Sequence, residues 1–269
     1  MNILCPICKN NNKLKLATNE KSYICSKNHS FDISKSGYLN LLVSKTNSGD
    51  NKDMVNARSN FLNKGYYEPL AIKIKEIVNK YSPNYKNVVD AGCGTGYYSN
   101  YLKNNTSSIY GFDISKFAID KAKKLHKDNN YFVASTSALP IEDDSVDVLL
   151  TVFAPTFPNE FFRVLKKDAI FVLVVPNHNH LYELKKALYD KPYLNEDKDY
   201  SILNSNFALI EKLDLTYKTS INNDDLIQLV KMTPYFYKTK REDLEKINTI
   251  DFLNVTIDFQ IDVFRKLEF

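Results

Sequence analysis

From residue 53 onward the apolar positions of this chain keep two periods. Met54, Ala57 and Phe61, with Val55 and Leu62 beside them, recur at helical spacing and Gly65 follows as a stop, so a helix is expected from about 53 to 64. Tyr67, Leu70, Ala71, Ile74, Ile77, Val78 and Tyr81 mark a second amphipathic helix with Pro69 in its first turn. Strand-like runs near 87–90, 108–113, 131–134, 146–152, 169–175 and 207–217 then alternate with helical stretches near 97–104, 116–127, 159–165 and 180–188. Such alternation predicts an α/β domain built as a doubly wound sheet. Near the end, Val255, Ile257, Phe259, Ile261 and Val263 alternate with Thr256, Asp258, Gln260 and Asp262, the pattern of a half-buried strand. The longest apolar run, Ile170 to Val175 before Pro176, has the length of a buried parallel strand and falls far short of the roughly 20 residues that cross a bilayer. No membrane span is expected, and no internal repeat is visible.

Only seven glycines occur in 269 residues, and three of them lie in Asp90-Ala91-Gly92-Cys93-Gly94-Thr95-Gly96. They sit between a strand containing Val88 and Val89 and a helix opening at Tyr97, which is the ligand-binding corner of an open α/β sheet. Asp113 closes the next strand about twenty residues on, where a carboxylate on ribose hydroxyls is expected. These features imply an adenosine-type cofactor. The dinucleotide fingerprint needs a third glycine where Tyr97 stands, which weakens a nicotinamide reading. Cys93 reads as a small residue that fits beneath the ligand, in preference to a nucleophile.

A second constellation opens the chain. Cys5-Pro6-Ile7-Cys8 and Cys25-Ser26-Lys27-Asn28-His29 use three of the four cysteines. The first pair forms a knuckle that aims two thiolates at one ion, and Cys25 with His29 supplies the other half of a tetrahedron. Four protein ligands leave no open position, so the expected role is structural zinc. A module of about forty residues buries too little to stand alone, and zinc contributes on the order of 10 kcal/mol at comparable sites. A disulfide is the rival reading. Nothing at the N-terminus looks like a secretory signal, and reduced thiols fit the cytoplasmic location expected.

Composition changes this picture in one respect. With 43% hydrophobic and 25% charged residues the chain is an ordinary soluble globular protein, and its net charge of +4 says little. Residues 1–60, however, hold nine Lys and Arg against four Asp and Glu, while the remainder is nearly neutral. Lys9, Lys13, Lys15, Lys21, Lys27 and Lys35, interleaved with Tyr23, Phe31 and Tyr38, suit a phosphate backbone and its bases. A solvated lysine-rich surface suits them equally. The polar stretch from Ser44 to Lys52 reads as a tether.

The leading acid and glycine spacing of Asp90 to Gly96 resemble the first motif of class I S-adenosylmethionine-dependent methyltransferases, in which Asp90 would steer the methionine end. Ser135-Thr136-Ser137-Ala138-Leu139-Pro140, followed by Asp143 to Asp147, resembles their adenine-binding stretch, with Ser135 where those enzymes usually carry Asp. Contact with adenine would then rest on a hydroxyl or on backbone groups. Phe153-Ala154-Pro155-Thr156 holds neither the cysteine of carbon-5 pyrimidine methylation nor the Asn- or Asp-Pro-Pro-aromatic clamp of exocyclic amine methylation. Transfer to a ring nitrogen or to a small molecule is left.

Over nearly the whole chain one family combines these features. Cys5, Cys8, Cys25 and His29, then Phe31-Asp32, Gly37 to Leu42, Ala57-Arg58, Phe61-Leu62, Gly65-Tyr66-Tyr67, Gly92 to Tyr98, Ala154-Pro155, His180-Leu181, Glu183-Leu184-Lys185 and Met232-Thr233-Pro234 run in an order similar to that of the RlmA family of 23S ribosomal RNA guanine-N1 methyltransferases. The resemblance implies a Rossmann-like, seven-stranded sheet with a terminal antiparallel strand plus a small N-terminal zinc-binding module. The corresponding division is 1–43 for the zinc-binding RNA-recognition module, 44–82 for tether and helical connection, and 83–269 for the class I methyltransferase domain. It further implies that Tyr67, Gly94, Thr95, Gly96, Tyr97, Asp113 and His180 line the cofactor pocket, with Gly92 in the same loop. The zinc module would help grip an rRNA hairpin, and some members confer macrolide resistance. His180 is a candidate base on location alone, and Tyr97, Tyr98 and Phe153 are available to stack on a base. A homodimer is compatible with the sequence. Two rivals stay open: a small-molecule methyltransferase of quinone or metabolite type, and a non-catalytic zinc and RNA-binding protein.

Overall fold

The N-terminal segment folds around its cysteines into short strands, too few to bury a core of their own. A computed structural model describes every residue except 9–11, 45–49, 197–199, 234, 235, 237, 238, 268 and 269, together with the side chain of Asn204. Lys9, most of the expected tether and Pro234 therefore lie outside the described residues. β1 (Lys15–Leu16), β2 (Ser22–Ile24) and β3 (Ser30–Asp32) form a three-stranded antiparallel sheet. β4 (Leu39–Asn40) leaves that sheet and joins the large one.

The large sheet forms where the chain is richest in β-branched residues. β5 (Asn87–Ala91), β6 (Ser108–Asp113), β7 (Asn130–Val133), β8 (Val146–Val152) and β9 (Leu165–Pro176) run parallel, and β10 (Phe207–Asn222) and β11 (Phe252–Lys266) complete the order β10-β11-β9-β8-β5-β6-β7-β4. β11 is antiparallel to both its neighbours, as expected of the terminal strand. The seven expected strands are joined by an eighth: β4 pairs in parallel with β7, Leu39 opposite Phe132 and Asn40 opposite Val133. Leu4 N–H also donates to Pro140 O at 2.8 Å, and Lys13 pairs with Glu142 at 2.8 Å. Cys5, Leu14, Cys25, Leu39 and Leu41 share one hydrophobic cluster with Phe112, Phe132, Leu139 and Ile141 of the large domain. One core thus runs from the cysteine module into the sheet.

α1 (Lys52–Leu62) is capped by the Asn51 side chain, which accepts from Met54 N–H at 3.0 Å, and α2 (Glu68–Tyr81) carries its proline in the first turn. α3 (Tyr97–Asn100), α4 (Lys116–Leu125), α5 (Pro158–Val164) and α6 (Tyr182–Leu188) follow their strands as expected. A further helix, α7 (Asn223–Met232), packs against α1. It lies in a stretch whose pattern announced no element.

β11 departs from its expected half-buried character. Thr256, Asp258 and Asp262 are buried along with the apolar positions, because the strand lies between β9 and β10 instead of at an edge. Glu183 accepts from both the N–H and the hydroxyl of Thr256 at 2.8 Å, and Asp258 accepts from Thr216 at 2.7 Å and from Asn179 N–H at 3.0 Å. The alternation expected there belongs to β10, the true edge. Among the described residues no helix is long and apolar enough to cross a membrane.

Candidate functional site

The four cysteine-module ligands converge. Their donor atoms all lie within 4.8 Å of one another. His29 Nδ1 is 3.6, 3.2 and 3.5 Å from the sulfurs of Cys5, Cys8 and Cys25, and Cys8 and Cys25 are 3.8 Å apart. Tetrahedral zinc, with bonds of about 2.3 Å to sulfur and about 2.0 Å to nitrogen, demands separations of about 3.8 and about 3.5 Å. The observed spacings fit that ion. The cysteines are free thiols, which removes the disulfide reading. β2 lies between the paired halves, and Asn28 at φ 62° turns the chain so that Cys25 and His29 face the same point.

The second site is built by the glycine corner at the carboxyl end of β5. Gly92 and Gly96 hold left-handed φ values of 84° and 73°, and a side chain at either would collide, with Ala154 at the first and with the Tyr131 hydroxyl at the second. At Gly94, which is buried, an added Cβ would come no nearer than ordinary contact with Arg58, 3.8 Å away. Gly94 N–H donates to Asp113 Oδ2 at 2.9 Å and Ser115 N–H donates to Asp113 Oδ1 at 2.8 Å. That pair of bonds fixes the carboxylate at the end of β6 and, among the described residues, leaves one lone pair on each oxygen available. Ala134 N–H donates to Asp113 O at 3.0 Å, which places Ser135 next to it, and the Ser135 hydroxyl bonds that of Ser137 at 2.7 Å. Thr95 is buried, and Tyr97 is half-buried at the start of α3.

Asp90 is the electrostatic centre of the corner. It is 2% exposed. Burial pushes its carboxyl from the ordinary 3.8 up to about 7; the Ser99 hydroxyl beside it opposes the shift and the Asp113 charge adds to it. The Ser99 hydroxyl itself lacks a hydrogen bond of good geometry. A buried carboxylate with no cation beside it among the described residues, flanked by a glycine cradle and a second carboxylate, is suited to a cationic ligand bearing ribose hydroxyls. S-adenosylmethionine has both features. Cys93 is buried and its thiol is pushed well up, chiefly by burial, so it stays protonated and takes no part as a nucleophile.

His180 and Tyr67 meet next to this corner. Asp258 N–H donates to His180 Nδ1 at 3.3 Å, so Nε2 carries the proton and faces the Tyr67 hydroxyl at 3.3 Å. Burial, with Lys185 adding a smaller effect, lowers the imidazole to about 3. His180 is therefore neutral throughout the physiological range, with both nitrogens engaged, which removes it as the base. Its ring packs on Phe259 at 4.7 Å and stacks on Phe153 at 6.4 Å. Tyr67 packs edge-on against Phe259 at 5.1 Å.

Three groups at the corner were not selected from the sequence as site residues. Arg58, on α1, forms an ion pair with Asp50, donates to Met232 O at 3.3 Å and overhangs Gly94. Ser115 donates to Asp50 O at 3.0 Å, tying the start of α1 to the end of β6. Phe259 backs the ring cluster from β11. Only Arg58 carried a sequence signal, as part of the Ala57-Arg58 pair. In the cysteine module Lys15, Lys21, Lys27 and Lys35 are exposed, whereas Lys13 is held by Glu142, and Tyr23 and Phe31 pack partly against the core.

Comparison with known proteins agrees with this geometry. Residues 3–48 match the model of the RlmA N-terminal zinc ribbon, and residues 83–228, more than half of the chain, match that of a methyltransferase domain. The chain belongs to the RlmA family of methyltransferases. A Bacillus subtilis protein, YxjB, assigned as a 23S rRNA (guanine-N(1)-)-methyltransferase, is 29% identical over 269 residues, covering 96% of this chain and 94% of that protein. A Micromonospora griseorubida protein assigned the same activity is 33% identical over 202 residues, covering 68% of each. The solved structure of an Anaeromyxobacter dehalogenans protein assigned as a type II methyltransferase superposes with a TM-score of 0.51 at 18% identity, covering 72% of this chain and 95% of that one. That likeness establishes the class I methyltransferase fold. This RlmA-family chain is thus an enzyme, a methyltransferase that carries a zinc ribbon at its N-terminus.

Proposed function

We propose that this enzyme transfers the methyl group of S-adenosylmethionine to N1 of a guanine in a 23S rRNA hairpin. The observation that carries the reading is the fusion of the zinc ribbon to the catalytic sheet through the β4–β7 pairing, with exposed lysines on the ribbon and the glycine corner two strands from β7. A small-molecule methyltransferase has no use for such a lobe. The names of the B. subtilis and M. griseorubida relatives point the same way.

In this reading Asp90 faces the cationic methionine end, Gly92, Gly94, Thr95, Gly96 and Tyr97 wrap the donor, Asp113 takes the ribose hydroxyls, and Ser135 lies at the adenine. Tyr67 and His180 brace the reacting end. Bound S-adenosylmethionine would supply an electrophilic methyl group on a sulfonium and leave as the neutral thioether S-adenosylhomocysteine, while the proton on guanine N1 is given up to solvent. The protein's part is to hold that carbon and the guanine edge in line and to exclude water, which accounts for a large share of the rate of such transfers. Zinc on Cys5, Cys8, Cys25 and His29 holds the ribbon and takes no part in transfer, since four protein ligands close its shell. An rRNA substrate places the enzyme in the cytoplasm.

The test incubates unmodified 23S rRNA with the enzyme and methyl donor and maps reverse-transcriptase stops, because a methyl at N1 blocks the pairing edge. A donor-dependent stop at one guanine is the expected result. Donor turnover on small acceptors with no label in rRNA would overturn the reading. A link to macrolide resistance is tested separately, by the susceptibility of a strain before and after deletion of the gene.

A further inference from the structure

We infer that Phe153 is the shelf on which the acceptor base stacks, held at the carboxyl end of β8 by a strained backbone and a wall of rings behind it. This rests on the reading above, that the acceptor is a nucleobase.

Phe153 combines three properties that a surface phenylalanine does not ordinarily share. Its backbone holds φ 57°, a left-handed conformation that bulky residues rarely adopt and that marks functional sites when the surroundings enforce it. The surroundings do enforce it: its N–H donates to Val174 O at 3.0 Å, and its neighbour Ala154 fills the space that a side chain at Gly92 would need. The residue remains 43% exposed, although its ring lies against His180, Phe259 (5.3 Å) and Tyr98 (6.4 Å, edge-on). His180 and Phe259 are themselves buried. One side of the ring is thus backed by packed aromatics while the rest faces solvent.

The position selects the occupant. Asp113 and Ser135, the ribose and adenine ends of the donor site, lie on the β6–β7 side of the glycine corner, and Phe153 follows β8, the neighbour of β5 on the opposite side. An adenine at Ser135 is therefore directed away from Phe153, which leaves the ring to the methyl acceptor. A flat, rigid apolar shelf suits a purine lifted from its neighbours, because stacking on a side-chain ring replaces the stacking lost and leaves the base edges free.

The chain contains no tryptophan, so Phe153→Trp installs a lone reporter in the shelf. Titration with an unmodified 23S rRNA transcript, and separately with guanosine monophosphate, is expected to quench its fluorescence. A control tryptophan at Ile202, which is 65% exposed on the short helix Ser201–Ser205 away from the corner, is expected to stay unquenched by the nucleotide. In parallel, Phe153→Ala is expected to lower kcat/KM for rRNA about 10- to 100-fold, the range for losing one stacked base, with donor affinity unchanged within about twofold. Phe153→Tyr, which keeps the ring, restores the rate. The inference is overturned if Phe153→Ala methylates rRNA with wild-type kcat/KM, or if the Phe153→Trp signal ignores both ligands while the variant still binds donor. Either result with an active wild type leaves the proposed function standing, whereas an inactive wild type sinks that function itself.

Discussion

Replacing Asp90 by Asn separates what the corner costs the fold from what it gives the donor. The carboxyl titrates at about 7 in the folded protein against an ordinary 3.8, a difference of about three units. At about 1.4 kcal/mol per unit, holding Asp90 ionised at pH 8 destabilises the donor-free protein by on the order of 4 kcal/mol. The sign follows from a raised carboxyl. Between the two values the folded state binds more protons than the unfolded one, so this contribution to stability is lost as pH rises from about 4 to about 7. Asp90→Asn abolishes the loss. Urea denaturation of both proteins without donor should find the variant's advantage about 3 kcal/mol greater at pH 8 than at pH 5, since part of the penalty is already present at pH 5. Calorimetry should find the reverse for S-adenosylmethionine at pH 8: affinity falls about 10- to 100-fold, the worth of one charge-assisted contact. Wild-type affinity should weaken below pH about 7, where the carboxyl must first shed its proton, and the variant should show no such dependence. An advantage equal at both pH values, or wild-type donor affinity in Asp90→Asn, would refute the reasoning.

Other consequences are open to measurement. Gly96→Ala places a methyl group against the Tyr131 hydroxyl at φ 73° and should cost donor binding more than about tenfold; adding Tyr131→Phe should recover only part, because ring carbon Cζ remains 2.9 Å from the new atom. Chelation should release one zinc per chain and lower the thermal midpoint of the whole protein in a single transition, since the ribbon shares a core with the sheet; two separate transitions would contradict that sharing. With His180 titrating at about 3, the pH–rate profile between about 5 and 9 should show no inflection from it, and His180→Asn should change the height of the profile without its shape.

The parts of this molecule that were legible in the sequence are those where backbone or metal geometry admits few residues. Three glycines after a β-branched strand located the corner, and the C-x-x-C and C-x-x-x-H spacings located the four-ligand cluster. Long apolar runs such as Ile170–Val175 announced a buried strand and formed one. Polarity misled at β11, where Thr256 and Asp258 look solvent-facing until Glu183, Thr216 and Asn179 arrive from distant elements to satisfy them. β4 escaped notice because two residues carry no period; only the Phe132 and Val133 edge makes them a strand. His180 drew attention as a base by its place in the order of motifs. Its buried, fully bonded ring could not be read without the Asp258 backbone opposite it.

That eighth strand gives the enzyme a built-in ruler. β4 stands three strand spacings from β5, about 14 Å, and main-chain pairing fixes this span far more firmly than a hinge would. Under the proposed function, a polynucleotide anchored on the outer surface of the ribbon would be presented to the transfer point at a set offset. Moving the modified position along the RNA would require reshaping that outer surface, because the offset itself is stitched into the sheet.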